Sequence, residues 1–168
     1  MTVDPDEIER AAERISDRAR RTPVIRYGDA LLKLELLQHA GSFKTRGAFN
    51  RVLGEPGGVP DSGLVTASGG NHGAALSYVA GQLGMHAEVF VPSTSPVMKR
   101  ANIARFGADV TVVEGYYDDA QREANLRQAC TGALMIHPFD HRLTVAGQGT
   151  MSRELESQDD GFDTILVA

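Results

Sequence analysis

The chain has 168 residues, 42% of them hydrophobic and 23% charged, which is the composition of an ordinary soluble globular protein. Its formal net charge of −5 argues against a general nucleic-acid binder, and no run of about 18 apolar residues is present that would span a membrane. With one cysteine, Cys130, and no signal-peptide pattern, an internal disulfide and a cysteine-based zinc site are excluded, and we expect a cytoplasmic protein.

The first third of the chain predicts two helices separated by a strand. Asp4 and Glu7 are spaced as a capping box, so we expect a helix over residues 5–20. The alternating pattern of residues 31–36 predicts a half-buried strand, and a second helix is expected over residues 43–53. A stretch rich in glycine and proline follows, which we interpret as a crossing between two packed units.

Beyond this crossing, short apolar strands alternate with helices. Alternation of this kind predicts βαβ units around a parallel sheet, with glycines near the ends of the helices as C-caps. The predicted strands cover residues 63–67, 86–91, 109–113, 133–136 and 164–167, and the predicted helices cover residues 71–83, 96–106, 117–130 and 144–156.

Lys44 is the first candidate catalytic residue. Ser42 is a natural N-cap for the helix over residues 43–53, which places Lys44 in the first turn, next to the positive end of the helix dipole. With Arg46 two residues further on, we expect a lowered pKa and a nucleophilic amine, provided that the side chain is also desolvated. The alternative, which position alone favours, is a solvated surface lysine.

The second candidate is the glycine-rich turn Ser68–Gly73. It lies between a predicted strand end and a predicted helix start, where backbone N–H groups form a cradle for a phosphate or a carboxylate. The alternative is that the glycines only make the bend. The turn matches neither the phosphate loop of NTPases nor a dinucleotide fingerprint, so nucleotide binding is not expected.

The histidines do not predict a metal site. His137 and His141 are four residues apart with Asp140 between them, but Pro138 argues against a shared helical face. A turn with solvated or capping side chains is the preferred interpretation, and we expect no bound metal.

Two motifs in this order, Gly41–Ala48 and Ser68–Gly73, resemble those of the serine/threonine dehydratases, which are fold-type II pyridoxal-phosphate enzymes and similar in fold to the tryptophan synthase β chain. The resemblance runs from Thr22 almost to the end of the chain. It continues through Val91-Pro92, Lys99, Phe106-Gly107-Ala108, His137-Pro138-Phe139-Asp140 and Gly147-Gln148-Gly149-Thr150.

The resemblance implies an α/β fold with two open, mainly parallel sheets and flanking helices, the larger domain being truncated. Residues 1–61 and 141–168 would form the incomplete larger cofactor domain, and residues 62–140 the smaller βαβ domain. In the family, a glycine-rich phosphate cup follows a strand like that predicted at residues 164–167. We therefore expect this chain to be the N-terminal part of such an enzyme and to be inactive by itself.

The cofactor implied is pyridoxal 5′-phosphate, and the resemblance also implies a role for individual residues. Lys44 would carry the cofactor as a Schiff base and act as the general base, Phe43 would lie against the pyridine ring, and Asn71 would bind the ring hydroxyl. The substrate carboxylate would be held by the turn formed by Ser68, Gly69, Gly70, Asn71 and His72.

The reaction implied is β-elimination of water from L-threonine or L-serine, giving a 2-oxo acid and ammonia. Related serine racemases carry a serine at the position of Gly69, which acts as the base on the opposite face, so elimination is expected to exceed racemisation here. The alternatives are racemase or sulfhydrylase chemistry on the same scaffold, or a non-catalytic fragment that acts as a binding module. The partners implied are a small amino-acid substrate and, in the full-length family, a second copy in a homodimer, with no nucleic acid and no membrane.

Overall fold

The computed structural model describes residues 2–159 and 161–167. The first helix, α1 (Pro5–Arg14), begins with the predicted capping box, in which Asp4 and Glu7 exchange side-chain-to-backbone hydrogen bonds of 2.9 Å in both directions. The helix ends earlier than the predicted residue 20. The Ser16 hydroxyl donates to the Glu13 carbonyl oxygen at 2.8 Å, and such a local bond competes with continuation of the helix.

An antiparallel hairpin follows α1. Its strands β1 (Val24–Tyr27) and β2 (Ala30–Lys33) are joined by a two-residue turn in which Gly28 has a φ of 57°. Strand β1 was not predicted from the sequence, and the strand predicted over residues 31–36 ends at Lys33. The chain leaves the hairpin after Lys33 because Glu35 turns inward to the buried Arg46 guanidinium, and residues 35–41 form two short 3₁₀ turns.

Two helices pack against each other beside the hairpin. They are α2 (Lys44–Leu53) and α6 (Arg142–Glu156), and both were predicted with bounds within two residues. Their axes approach closely because glycines face each other at the crossing. A Cβ atom on Gly147 would lie 2.7 Å from the Gly47 Cα atom, closer than real Cβ atoms come.

The predicted parallel sheet is confirmed. Its strand order is β5-β4-β3-β6, with all neighbours parallel. The four strands are β3 (Leu64–Ala67), β4 (Ala87–Pro92), β5 (Asp109–Val113) and β6 (Leu134–Met135), and the helices that connect them are α3 (Asn71–Leu83), α4 (Val97–Ala104) and α5 (Tyr117–Thr131). Glycines end two of these helices in the left-handed conformation, as predicted.

Both faces of the sheet are covered, because successive side chains of a strand point to opposite faces. Val89 and Val91 of β4 join the larger core cluster on the side of α3, whereas Phe90 joins Ala120 and Ala124 of α5 on the other side. This arrangement confirms the α/β fold with a parallel sheet and flanking helices.

The strand predicted at residues 164–167 is not formed, and that prediction is wrong. These residues have no ladder partner within the part of the chain that the structure describes, and Leu166 is 92% exposed. A strand needs the hydrogen bonds of a neighbouring strand, which an apolar sequence pattern cannot supply. Among the described residues, no helix has the length and apolarity to cross a membrane.

Candidate functional site

The candidate residues converge at one edge of the parallel sheet. Because β3 pairs in parallel with β6 on one side and with β4 on the other, the segments that follow these three strands lie at the same edge. Ser68 begins the segment after β3, and Pro138 lies in the segment after β6. Ligands of open α/β sheets bind at this edge, outside the carboxyl ends of the strands.

Lys44 reaches this edge from the first turn of α2. Its Nζ atom donates a hydrogen bond of 3.0 Å to the carbonyl oxygen of Pro138 and lies 5.1 Å from the centroid of the half-buried Phe43 ring. The Ser42 hydroxyl accepts the Lys44 backbone N–H at 3.2 Å, as predicted for a capping residue. Burial lowers the pKa of the Lys44 amine, so a solvated surface lysine is not what the structure contains.

Arg46 does not contribute to this effect, contrary to the sequence analysis. Residues two apart on a helix point to different sides. The Arg46 side chain is 2% exposed and lies on the other side of α2, where it forms ion pairs with Glu35 at 2.8 Å and with Glu154 at 3.0 Å. Arg46 therefore anchors α2 to the segment after β2 and to α6. The pKa of Lys44 is lowered by burial of its amine.

The turn Ser68–Gly73 connects β3 directly to α3, as predicted. The Ser68 hydroxyl accepts the backbone N–H groups of Gly70 at 3.3 Å and Gly73 at 3.0 Å, which fixes the turn at the start of the helix. Gly69 and Gly70 are half-buried, and Asn71 is exposed as the first residue of α3. Since Ser68 uses its lone pairs inside the turn, its hydroxyl hydrogen remains to donate.

His72 has the most deeply buried side chain of the turn. It is 4% exposed, and its Nε2 atom lies 2.9 Å from the Ile136 carbonyl oxygen, so Nε2 carries the hydrogen. The Nδ1 atom is buried without a partner among the described residues. Burial, with smaller contributions from the charges of Lys44 and His137, lowers the pKa of His72 to about 4.

The segment after β6 was not predicted to be part of the site. Its main-chain carbonyl oxygens at Ile136 and Pro138 accept hydrogen bonds from His72 and Lys44. The histidines here act as caps, as the sequence analysis preferred: His137 Nδ1 accepts the Asp140 N–H at 2.8 Å, and His141 Nδ1 accepts the Leu143 N–H at 3.2 Å. The described residues hold no group of three His, Cys, Asp or Glu side chains that would bind a metal.

The structure thus brings Lys44, Phe43 and the segment after β6 together, with α3 and its turn packed beside α2. The charge on Lys44 is close enough to His72 to affect the pKa of that imidazole. The role of Pro138 was missed because a backbone carbonyl has no signature in a sequence, although Pro138 itself belongs to a motif that resembles the family. The ligand-binding roles of Phe43, Ser68, Gly69, Gly70, Asn71 and His72 stay predictions.

Comparison with known proteins supports a common family. A family model described as "Pyridoxal-phosphate dependent enzyme" matches residues 15–168. A β-hydroxyaspartate dehydratase of Paracoccus denitrificans is 37% identical over 94% of this chain and 52% of its own length. An L-threonine ammonia-lyase of Geobacter sulfurreducens is 36% identical over 95% of this chain and 42% of its own length.

The fold is shared with solved structures. A maize serine racemase superposes with a TM-score of 0.89 at 32% sequence identity, over 96% of this chain and 51% of the racemase chain. The chain spans about half the length of the curated relatives that it matches. Dehydratases, ammonia-lyases and racemases therefore all stand among the proteins that it resembles.

Proposed function

Because this chain belongs to the family of pyridoxal-phosphate dependent enzymes, we propose that it forms the N-terminal part of a lyase that removes water from L-threonine or L-serine. The products are a 2-oxo acid and ammonia. The observation that carries the proposal is the half-buried Lys44 amine, which lies at the same sheet edge as the turn Ser68–Gly73.

The residues present fit the aldehyde end of pyridoxal phosphate. Lys44 offers an amine whose pKa is lowered by burial and which a carbonyl oxygen orients, and both properties favour reaction with an aldehyde. The Phe43 ring, whose centroid lies 5.1 Å from the Lys44 Nζ atom, offers an apolar surface for an aromatic ring. Lys44 and Phe43 would therefore hold the cofactor, and Asn71, exposed at the start of α3, would bind its ring hydroxyl.

When bound, the cofactor supplies an electron sink for the carbanion that forms at the substrate Cα atom. The amine of Lys44 takes the proton from Cα. The Cβ–O bond would then break, and the hydroxyl group would leave as water with the proton that Lys44 took from Cα. The dehydrated amino acid, an enamine, would then consume one water molecule and give the 2-oxo acid and ammonia.

The turn formed by Ser68, Gly69, Gly70, Asn71 and His72 would bind the substrate carboxylate. The main-chain N–H groups of Gly69, Asn71 and His72, which do not donate to Ser68, would donate to an anion at this position, and the helix dipole favours negative charge there. The Ser68 hydroxyl hydrogen adds a further donor. Holding the carboxylate in this way would bring the Cα–H bond towards Lys44.

Gly69 favours elimination over racemisation. Racemisation requires a second acid–base group that returns a proton to the opposite face of Cα. A glycine has no side chain to carry such a proton. This supports a dehydratase rather than a serine racemase, although members of both classes are similar to this chain.

The test is product analysis with L-threonine and L-serine in the presence of pyridoxal phosphate, using the complete polypeptide to which these residues belong. Formation of a 2-oxo acid should exceed formation of D-serine, and Lys44→Ala should abolish turnover. Lys99→Ala is a matched control that removes an exposed amine outside the site. Racemisation that outpaces elimination, or turnover that survives Lys44→Ala, would contradict the proposal. A module that only binds other molecules would be indifferent to Lys44→Ala.

We also propose that residues 62–140 form the smaller domain and that residues 1–61 and 141–168 belong to the larger one. The parallel sheet and its three helices lie between residues 64 and 135, whereas α1 and α6 pack on each other and on α2, which also packs on α3. The hydrogen bond from Lys44 to Pro138 then joins the larger unit to the end of the smaller one.

A further inference from the structure

The turn that follows β4, residues 93–96, is called the β4 turn here. It lies beside the turn Ser68–Gly73, which follows β3 and is called the β3 turn. Since β3 and β4 are parallel neighbours, both turns stand at the same edge of the sheet. The β4 turn is closed by a hydrogen bond of 2.9 Å from the Ser95 backbone N–H to the Pro92 carbonyl oxygen. This bond fixes the position of Ser95, which is half-buried against the β3 turn.

The Ser95 hydroxyl fills the space that a side chain at position 69 would need. A Cβ atom built on Gly69 would overlap the Ser95 Oγ atom, and it would lie 3.0 Å from Ser95 Cβ and 3.4 Å from Pro92 Cδ. Rotation of the Ser95 side chain would move Oγ but not Cβ. Gly69 does not have a positive φ, so steric exclusion by Ser95, not backbone conformation, accounts for a glycine at this position.

The Ser95 hydroxyl has no hydrogen-bond partner within residues 2–159 and 161–167, unlike its neighbours in the same turn. The Ser93 hydroxyl bonds to the Glu114 carboxylate at 3.1 Å and to the Gly115 N–H at 3.3 Å, and the Thr94 hydroxyl faces the Gly115 carbonyl oxygen at 3.5 Å. Those two side chains tie the turn to the segment after β5. The hydroxyl group of Ser95, by contrast, can still donate a hydrogen bond to a ligand next to Gly69.

We propose that Ser95 is a specificity-determining residue: its hydroxyl, which lies against Gly69, donates a hydrogen bond to the carboxylate of the amino-acid substrate and is therefore not available as an acid–base group at the substrate Cα atom. The inference rests on the proposed function, because it assumes that the turn Ser68–His72 holds that carboxylate. The Ser95 hydroxyl adds a hydrogen-bond donor from the turn after β4, so that the turns after β3 and β4 would both bind the substrate carboxylate. It also explains why the turn carries glycine next to Ser68.

The first test measures carboxylate binding without turnover. Backbone amide shifts of the full ¹⁵N-labelled chain are followed by NMR while L-serine is added, and L-serinamide, which lacks the carboxylate, serves as the control ligand. L-serine should shift the amides of Gly69 and Gly70, and L-serinamide should not. Ser95→Ala should weaken L-serine binding about tenfold, since a hydrogen bond to a charged group is lost. Ser62→Ala, which removes a hydroxyl before β3 at the opposite edge of the sheet, should leave the affinity unchanged.

The second test is steric and needs no ligand. Gly69→Ala should lower the urea midpoint of unfolding because the new methyl group meets Ser95. Combining it with Ser95→Gly should restore most of that loss, since both clashing atoms are removed. Independent, additive effects of the two substitutions would overturn the packing on which the inference depends.

The outcomes separate this inference from the proposed function. Equal L-serine affinity of Ser95→Ala and the unaltered chain overturns the role of Ser95, whatever Lys44 does. The absence of any L-serine shift at Gly69 and Gly70 overturns it as well. The proposed function is tested separately, because it requires that Lys44 forms an adduct with pyridoxal phosphate. That adduct is measured by mass spectrometry after borohydride reduction.

Discussion

At the scale of single residues, the site depends on two side chains, Lys44 and His72, whose pKa values are lowered by burial. Lys44 is in part desolvated, which lowers the pKa of its amine, and His72 is almost fully buried next to it. His72 donates through Nε2 to the Ile136 carbonyl oxygen, whose segment continues to the Pro138 carbonyl that binds Lys44. The neutral imidazole therefore helps to position the acceptor that orients the amine.

The burial of neutral His72 predicts a loss of stability in acid. Its folded pKa of about 4 lies below the ordinary value of 6.5, so its contribution is present above pH 6.5 and is lost as the pH falls towards 4. Protonation would place a second N–H on Nδ1, which has no acceptor among the described residues. Between pH 7 and pH 4.5, the free energy of unfolding should fall by about 2–3 kcal/mol more than in His72→Gln.

Urea unfolding of the two proteins at both pH values measures this difference. The other four histidines are common to both proteins and cancel in the comparison. An equal loss of stability in His72→Gln would show that His72 is protonated without penalty in the folded state.

The sequence predicted the lowered pKa of Lys44 and named desolvation as a condition for it, but not which residues would bury the amine. A motif and a helix start placed Lys44 correctly, yet Arg46 was assigned to the same effect, although side chains two residues apart on a helix diverge. Desolvation depends on what packs around the amine, and the Pro138 segment that does so lies 94 residues further along the chain. Contacts between residues so far apart in the chain, and contacts made by backbone carbonyl groups, leave no pattern in the local amino-acid sequence from which they could be predicted.

At the scale of elements, α2 is held in place by a buried ionic cluster of Arg46, Glu35, Glu154 and Lys33. Arg46 joins Glu35, in the segment after β2, to Glu154 on α6, and Lys33 of β2 bonds to the same Glu154 carboxylate at 2.5 Å. The cluster ties α2, α6 and the hairpin together. It therefore fixes the helix whose first turn presents Lys44.

Removing Arg46 should be much more destabilising than breaking a surface ion pair. Arg46→Ala leaves two carboxylates without their partner at a site where Arg46 is 2% exposed, so we expect the free energy of unfolding to fall by about 3–5 kcal/mol. Arg122→Ala removes an exposed pair with Asp119 and should cost less than about 1 kcal/mol. Similar losses in urea unfolding of the two variants would contradict a buried anchor.

The two glycines of α6 should respond in opposite ways to alanine. A Cβ atom at Gly147 would meet backbone atoms of α2 at 2.7–2.8 Å, so Gly147→Ala should destabilise the chain by about 1–3 kcal/mol. At Gly149 the nearest atom is the flexible end of Ile8 at 2.8 Å, which can move. Gly149→Ala should therefore be neutral or stabilising by up to about 1 kcal/mol, because alanine favours helix.

Thermal unfolding of the two single variants tests this contrast. Equal responses would show that α2 and α6 do not approach as closely as their glycines allow.

Elements with both a periodic pattern and local end signals were predicted well, and those defined by distant partners were not. The bounds of α3 and β5 agree with the structure to the residue. The hairpin strand β1 was missed because a four-residue strand with three exposed side chains has no apolar alternation to read. Residues 164–167 have the pattern of a strand but no neighbouring strand in the described chain.

At the scale of the whole molecule, stability is unevenly distributed between the parallel sheet and the hairpin. Strands β3 and β4 are buried on both faces, while most side chains of β1 and β2 are exposed or half-buried. Backbone amides of β3 and β4 should therefore exchange with solvent most slowly, and those of β1 and β2 should be among the fastest in regular structure. Exchange of the hairpin as slow as that of β3, followed by NMR or mass spectrometry, would contradict this order.

The central claim is that the fold turns one lysine into a reactive amine at the edge of the sheet. The chain has three lysines, which makes the claim directly measurable. Lys33 is held in the ionic cluster, where its Nζ atom also donates to the Thr22 carbonyl oxygen at 2.9 Å, and Lys99 is exposed on α4. Accessibility alone would favour Lys99, whereas a lowered pKa and an orienting carbonyl favour Lys44.

The most direct measurement is to incubate the chain with pyridoxal phosphate at neutral pH, reduce it with borohydride and map the adducts by mass spectrometry. We predict that Lys44 is modified first and that the adduct at Lys44 is lost in Lys44→Ala without increasing elsewhere. Modification of Lys99 ahead of Lys44 would contradict the account, because it would mean that the amine on α2 behaves as an ordinary charged lysine.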